Sequence, residues 1–127
     1  MKTLVYDGGM LIAIDKCQFV ALRRHQDWVR QGHRIMVPAP VAAQAVRDPR
    51  RQVRLVRLLS GCDLVPFQRG DVWPVGTLLA KAGTSDVVDG FVAVAAARVG
   101  AAVVTSDGDD IRHLLETLGV RLPVLAP

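Results

Sequence analysis

Four aspartates occupy positions from which their carboxylates could meet at one edge of a folded sheet. Asp7 and Asp107 each follow a short run of apolar, β-branched residues that predicts a buried strand. Asp86 and Asp89 lie three residues apart at the start of a strongly helical segment, on one face of that helix. Any one of them alone is more simply a helix cap or a turn residue. Together they predict a site for a divalent cation, because neighbouring carboxylates repel each other unless a cation neutralises them.

The elements that must position these acids alternate between strands and helices along the chain. Short apolar runs predict strands over 2–6, 35–37, 64–67, 102–105 and 121–125. Helical spacing and Gly or Pro boundaries predict helices over 18–30, 40–47, from the Asp48-Pro49 step to 59, 72–82, 86–99 and 110–118. The Asp7-Gly8-Gly9 run after the first strand predicts a tight turn.

This alternation predicts an α/β protein with a doubly wound sandwich, in which helices cover both faces of the sheet. Ligands of such folds bind outside the carboxyl ends of the strands. Asp7 and Asp107 are therefore expected to converge although they are far apart in sequence. A chain of 127 residues, of which 50% are hydrophobic, is expected to form one domain over 1–127.

Positive charge is concentrated in one part of the chain. The stretch 23–57 contains nine arginines and only two aspartates, so the rest of the chain is net acidic although the total charge is +4. A group of arginines is predicted near one side of a helix, with Leu55, Val56 and Leu59 on the other side: Arg47, Arg50, Arg51, Arg54 and Arg57. Such a surface suits RNA phosphates or an acidic partner segment, and the alternative is an ordinary solvated face.

Three segments together resemble the PIN-domain ribonucleases, and in particular the VapC-type toxins of bacterial type II toxin–antitoxin pairs. They are residues 4–7 (LVYD), 89–95 (DGFVAVA) and 103–107 (VVTSD). The order, the spacing and the chain length all fit, and the resemblance covers nearly the whole sequence. It implies a PIN-like doubly wound sandwich with a five-stranded, mainly parallel sheet flanked by helices.

The resemblance also implies an activity and a set of site residues. PIN-domain ribonucleases cleave RNA with Mg²⁺ or Mn²⁺ held by acids at the carboxyl edge of the sheet. Carried over to this sequence, Asp7, Asp89 and Asp107 would be catalytic metal ligands. Thr105 would lie near the substrate, and Asp86 or Asp110 would serve as further acids, with Asp86 a candidate ligand.

One position departs from the family pattern. The family usually has a Glu shortly after the second strand, whereas this sequence has Gln44 there. An amide oxygen can coordinate a metal or bind a metal-bound water, but it brings no charge and cannot act as a base. Catalysis with altered metal binding and loss of catalysis both remain open.

Three classes of function follow. The leading one is a metal-dependent endoribonuclease, the toxin of a toxin–antitoxin pair. The second is a non-catalytic PIN-fold module that binds RNA or protein and is inactivated by Gln44. The third is another α/β enzyme, but no glycine-rich nucleotide-binding motif is present, and a receiver-like phosphoacceptor would need a strand-end lysine where the only late lysine is Lys81.

Partners and location follow from the resemblance and from composition. The resemblance implies an RNA substrate, a cognate antitoxin whose tail covers the acidic edge, and a homodimer. The longest uncharged run near the N-terminus, 8–14, is far shorter than the roughly 20 residues that cross a bilayer. We therefore expect a cytoplasmic protein without a membrane anchor or a signal peptide.

Aromatic and histidine residues carry little signal. Aromatic residues make up 5% of the chain, which argues against a base-stacking sheet platform. Trp28 and Trp73 are predicted to be packing residues, and His25, His33 and His113 are predicted to lie on the surface.

Overall fold

Five strands form one fully parallel sheet in the computed structural model, which describes residues 2–127. Met1, the first residue of the predicted domain, lies outside the described residues. The strand order is β3-β2-β1-β4-β5. The strands are β1 (Thr3–Tyr6), β2 (Arg34–Pro38), β3 (Asp63–Val65), β4 (Ala102–Val104) and β5 (Val124–Leu125). The predicted α/β class and the five-stranded sheet are confirmed.

Helices connect the strands. They are α1 (Gly8–Asp15), α2 (Phe19–Arg30), α3 (Ala39–Ala45), α4 (Val53–Gly61), α5 (Val72–Ala82), α6 (Val87–Val99) and α7 (Gly108–Leu118), with single 3₁₀ turns at Pro49–Arg51 and Arg69–Asp71. Within residues 2–127, no helix is long and apolar enough to cross a membrane.

The central strands bring distant parts of the chain together. β1 pairs with β4 so that Tyr6 lies opposite Val104. The backbone N–H of Asp7 then donates to the carbonyl oxygen of Val104 at 2.9 Å. Since both strands run in the same direction, Asp7 and Thr105 leave the sheet side by side at its carboxyl edge.

Helix α6 anchors the same edge from within the core. Residues 90–96 of this helix are all buried, and the ring of Phe91 packs edge-on against Phe67 at a centroid distance of 4.9 Å. Gly90 lies so close to α5 that a Cβ there would be 2.8 Å from Leu79 Cδ2. These contacts therefore fix the position of the first turn of α6, which carries Asp89, relative to the core.

Helix α1 corrects the sequence analysis, which predicted a tight turn at residues 7–9. The chain enters α1 at Gly8, directly after Asp7, whose carboxylate caps the helix. Two glycines lower the helical propensity of the first turn. Most of the remaining residues of the helix are buried, including Met10, Leu11 and Ile14. The helix therefore shows no polar face from which its period could be recognised.

Helix α1 lies against the loop between β4 and α7. A Cβ on Gly9 would come within 2.2 Å of Ser106 Oγ and 2.7 Å of Ser106 Cβ, whereas a Cβ on Gly8 would meet nothing within 4 Å. The absence of a side chain at position 9 therefore allows the close approach of the loop that carries Asp107.

We expect Gly9→Ala to lower the free energy of unfolding by about 1–3 kcal/mol, because overpacking must displace the Ser106 loop. Gly8→Ala is the matched control, and it should be neutral or stabilising by up to about 1 kcal/mol, since alanine favours the helix. Urea denaturation of both variants measures the difference. Equal stability of the two variants would show that the loop yields without cost.

Candidate functional site

Asp7 is held at the carboxyl end of β1 by a short chain of hydrogen bonds. Its side chain is buried, with a residue exposure of 6%. Asp7 Oδ2 accepts from the Thr105 hydroxyl at 2.8 Å, and Asp7 Oδ1 accepts from the backbone N–H of Gly8 at 2.7 Å. The same hydroxyl oxygen accepts from the backbone N–H of Asp107 at 3.0 Å. Thr105 thus joins Asp7 to the loop that carries Asp107.

Asp86 and Asp89 approach from the start of α6. Asp86 is not inside the helix, as the sequence analysis predicted, but is its N-cap: its Oδ1 accepts from the backbone N–H of Asp89 at 3.0 Å. This capping bond fixes the first turn of α6. Asp86 is exposed, and Asp89 is half-buried.

Electrostatic coupling shows that these acids share one locality. Burial, and then repulsion from Asp7, Asp86, Asp107 and Asp110, raises the pKa of Asp89 to about 7. None of the five aspartates forms an ion pair with a basic side chain in the part of the chain that is described. The carboxyl edge of the sheet therefore carries an uncompensated negative charge.

The pKa of Asp7 is raised for a related reason. Its burial is the main cause, and the negative charges of Asp107 and Asp86 add to it. The hydrogen bonds from Gly8 and Thr105 act in the opposite direction because they stabilise the ionised carboxylate. The two hydrogen bonds therefore offset only part of the cost of a negative charge at this buried position.

The chemistry of this donor set fits a hard divalent cation. Carboxylate oxygens are the preferred ligands of Mg²⁺, and a dication would relieve the repulsion that raises the two pKa values. No three His, Cys, Asp or Glu side chains among residues 2–127 converge closely enough to hold a metal as they lie. Coordination would require side-chain rotation, which the exposed Asp107 and Asp110 allow because neither carboxylate accepts a hydrogen bond from residues 2–127.

A cleft of about 150 Å³ opens at the acidic edge and is lined by Thr84, Asp86, Asp89, Asp110, His113 and Leu114. His113 Nε2 lies 2.8 Å from the carbonyl oxygen of Ala82, which links α7 to the end of α5. The sequence analysis placed His113 only on the surface. Its spacing of three residues after Asp110, on the same helical face, is the signal that connects it with the acids.

Gln44, a predicted site residue, has no contact with the acids among the hydrogen bonds of residues 2–127. It lies exposed on α3 and makes no hydrogen bond to the aspartates within the described chain. Helix α3 packs against α1, whose N-cap is Asp7. The role of Gln44 stays a prediction.

The predicted arginine helix is divided. Arg47 precedes the 3₁₀ turn, Arg50 and Arg51 lie in it, and Arg54 and Arg57 lie on α4. The break occurs because Asp48 caps the 3₁₀ turn and Pro49 begins it. All five arginine side chains remain exposed, and we call them the basic surface. The buried face of α4 consists of Leu55 and Leu58, whereas Val56, predicted to pack, is 40% exposed.

Gln52 is a residue that sequence reasoning missed. It is buried, and its amide is fully used: Oε1 accepts from the backbone N–H groups of Arg47 and Asp48, at 2.8 and 3.0 Å. Nε2 donates to Asp15 Oδ2 at 3.1 Å and to the carbonyl oxygen of Ala45 at 3.0 Å. This side chain therefore ties the first part of the basic surface to the ends of α1 and α3.

Comparison with known proteins rests on structure alone. No protein-family model and no curated protein matches the sequence. VapBC2 from Rickettsia felis, in a crystal structure bound to a DNA fragment from its promoter, superposes with a TM-score of 0.72 at 15% identity over 98% of each chain. FitAB bound to an IR36 DNA fragment gives a TM-score of 0.65 at 15% identity, over 98% of this chain and 94% of that chain.

A third structure agrees. PAE2754 from Pyrobaculum aerophilum superposes with a TM-score of 0.61 at 17% identity, over 94% of this chain and 97% of that chain. This chain has the PIN-domain fold. The resemblance to VapC-type PIN domains that three short segments indicated is confirmed at the level of the fold.

The raised pKa of Asp89 makes this residue the most informative acid for a stability measurement. Its pKa rises from about 4 in the unfolded chain to about 7 in the folded one, so the folded protein holds an extra proton between these values. Stability attributable to Asp89 is therefore present below about pH 4 and is lost as the pH rises through about 7.

We expect Asp89→Asn to be more stable than wild type by about 1–2 kcal/mol near pH 8 and nearly equal to it near pH 4, the gain being limited because a half-buried charge is partly screened. Urea denaturation at both pH values measures this, and Mg²⁺ should raise the stability of wild type near pH 8 but not that of the variant. A stability difference that does not change with pH would contradict the raised pKa.

Proposed function

We propose that this chain is a metal-dependent endoribonuclease and the toxin of a toxin–antitoxin pair. The observation that supports the proposal most strongly is the set of five mutually repelling aspartates at the carboxyl edge of a PIN-fold sheet. A single domain spanning residues 1–127 in the cytoplasm is part of the same proposal.

In this proposal Asp7, Asp89 and Asp107 hold Mg²⁺ or Mn²⁺, and Asp86 is a further ligand. When bound, the cation would supply an activated water and would stabilise the negative charge that develops on a phosphodiester. Thr105 acts as a positioning residue, because its hydroxyl sets the rotamer of Asp7 and holds the backbone of Asp107.

Asp110 and His113 form the outer wall of the acidic cleft. We assign Asp110 to the auxiliary acids, since its charge contributes to the raised pKa of Asp89. His113 keeps this wall in place through its contact with Ala82.

The partner proposal follows from the neighbouring folds. VapBC2 and FitAB were each solved in complex with DNA, and their names denote two-component assemblies. For this chain we propose a cognate antitoxin, a homodimeric state and an RNA substrate. The basic surface would bind RNA phosphates or an acidic segment of the antitoxin.

The basic surface generates its own prediction. Replacing Arg50, Arg54 and Arg57 together by Gln should weaken binding of RNA or of the antitoxin and flatten its salt dependence, because fewer counterions are released. Folding should change little, since the long side chains are exposed and the ion pairs of Arg50 with Asp48 are at the surface. Filter binding over a range of salt concentrations measures this. An unchanged affinity and salt slope would show that the basic surface is an ordinary solvated face.

A non-catalytic binding module is the second candidate function, and the specific observation that favours it is Gln44. An amide there withholds one negative charge from the family's metal site and leaves no base at that position. In that case the protein would keep its fold and its basic surface but would only bind its partner, without cleaving it.

RNA cleavage with and without metal separates the two functions. We expect wild type to cut a mixed RNA substrate with Mg²⁺ or Mn²⁺, and Asp89→Asn to lose at least about 100-fold in rate, because removal of one ligand charge weakens cation binding. Gln44→Glu should lower the metal concentration needed for half-maximal cleavage, since a further anionic ligand attracts the dication.

Loss of activity in EDTA is the control for a contaminating metal-independent nuclease. Cleavage by Gln44→Glu but not by wild type would establish a nuclease silenced at one ligand. Cleavage by Asp89→Asn at the wild-type rate would show that the assigned site is wrong.

A further inference from the structure

A second depression lies beside the acidic cleft, between α5 and α7. Its volume is about 390 Å³, within the usual range of small-ligand pockets. Leu78 and Leu118 contribute apolar surface, and Trp73 stands at one end of α5. Thr77 and Thr117 supply hydroxyl groups, and Lys81 belongs to the lining toward the other end of α5. We call this depression the α5–α7 groove.

The groove and the acidic cleft share one wall, helix α7. On α7, Asp110, His113 and Leu114 line the cleft, and Thr117 and Leu118 line the groove. Positions spaced by three, four and seven residues share one face of a helix, and one turn advances by about 5.4 Å. A chain lying along this face would therefore pass from the groove to the aspartates within a few helical turns.

Two side chains of the groove, those of Trp73 and Lys81, are largely exposed to solvent. Trp73 is 65% exposed, which corrects its assignment as a packing residue. Its position at the start of α5, next to the exposed Val72 and Pro74, leaves it outside the core that Val75 and Leu78 enter. Lys81 is exposed and forms no ion pair within residues 2–127.

We propose that the α5–α7 groove is an RNA subsite that binds the single-stranded nucleotides next to the scissile phosphate. A base stacks on the Trp73 indole, a backbone phosphate contacts the Lys81 ammonium, and the threonine hydroxyls hydrogen-bond to sugar or phosphate oxygens. Stacking on an aromatic side chain combined with a cation is the usual way in which proteins bind single strands without reading their sequence. This subsite rests on the proposed ribonuclease function.

A second copy of this chain is the competing occupant. The groove suits a nucleic acid better for two reasons. It lies on the α7 face that also lines the acidic cleft, where a phosphodiester must lie in the proposed reaction, and its lining includes Lys81 and two threonines beside an apolar wall. A polyanion uses all of these groups.

Binding and cleavage measured separately test the subsite. Binding uses anisotropy of a short fluorescein-labelled single-stranded RNA in EDTA, so that its result does not depend on catalysis. Trp73→Ala should raise the Kd about tenfold, and Trp73→Phe should retain part of the affinity because it keeps an aromatic face. Lys81→Gln should raise the Kd and reduce the salt slope by about 0.7, the value for one phosphate contact with a single strand.

Phe19→Ala is the matched control, because Phe19 is 73% exposed on α2 and lines no part of the groove. Its Kd should equal that of wild type. With metal present, Trp73→Ala should raise KM for RNA and leave kcat at saturating RNA unchanged. Thermal unfolding should show that the Trp73 and Lys81 variants remain folded.

The outcomes separate the subsite from the nuclease. If wild type cuts RNA and Trp73→Ala binds and cuts equally well, the subsite is overturned and the nuclease stands. If no form of the protein cuts but Trp73→Ala still weakens binding in EDTA, the subsite stands and the nuclease fails. If wild type sediments as a dimer, Trp73→Ala sediments as a monomer, and both have the same RNA affinity, the groove belongs to a second copy and the subsite is overturned.

Discussion

The structure of the site depends on the buried position of the Asp7 carboxyl group, whose charged form must be stabilised by its neighbours. Burial of an unpaired charge costs roughly several kcal/mol unless hydrogen bonds and an opposite charge compensate for it. Here the compensation comes from the Gly8 N–H and the Thr105 hydroxyl. Both groups are available only because β1 and β4 are parallel neighbours that end together and α1 begins at once. Under the proposed function, a bound cation would offset the remaining cost at this edge.

Opposite charges are kept on different elements of the fold. The aspartates occupy the strand ends and the starts of α6 and α7, whereas the basic surface lies on the segment between α3 and α4 and on α4 itself. Gln52 holds that segment to α1 without using a charge, since its four hydrogen bonds satisfy the amide completely. The exposed arginines of the basic surface form no ion pair with the five aspartates of the sheet edge within residues 2–127, and Arg50 and Arg51 pair with Asp48.

Sequence patterns could predict the sheet and the convergence of the acids for a simple reason. Apolar strands alternating with helices require parallel pairing, and parallel strands place Asp7 and Asp107 at the same edge. Helix α1 could not be predicted in this way, because a buried helix lacks an amphipathic period.

Tertiary contacts decided the remaining differences. The hydrophobicity of Trp73 predicts burial, but only the packing of α5 shows that its ring faces outward. The helix predicted from the Asp48-Pro49 step begins only at Val53, because Asp48, Pro49 and the buried Gln52 amide favour a 3₁₀ turn before it. The effect of Gln44 depends on its distance from a bound cation, which residue types alone do not specify.

Anomalous diffraction from a crystal soaked in Mn²⁺ tests the central claim most directly. We expect a Mn²⁺ peak bounded by carboxylate oxygens of Asp7, Asp89 and Asp107, at the roughly 2.0–2.2 Å expected for a small divalent ion. The Asp89→Asn protein should lose this peak. A Mn²⁺ bound elsewhere, or a wild-type site that stays empty at a saturating concentration of the metal, would contradict the account.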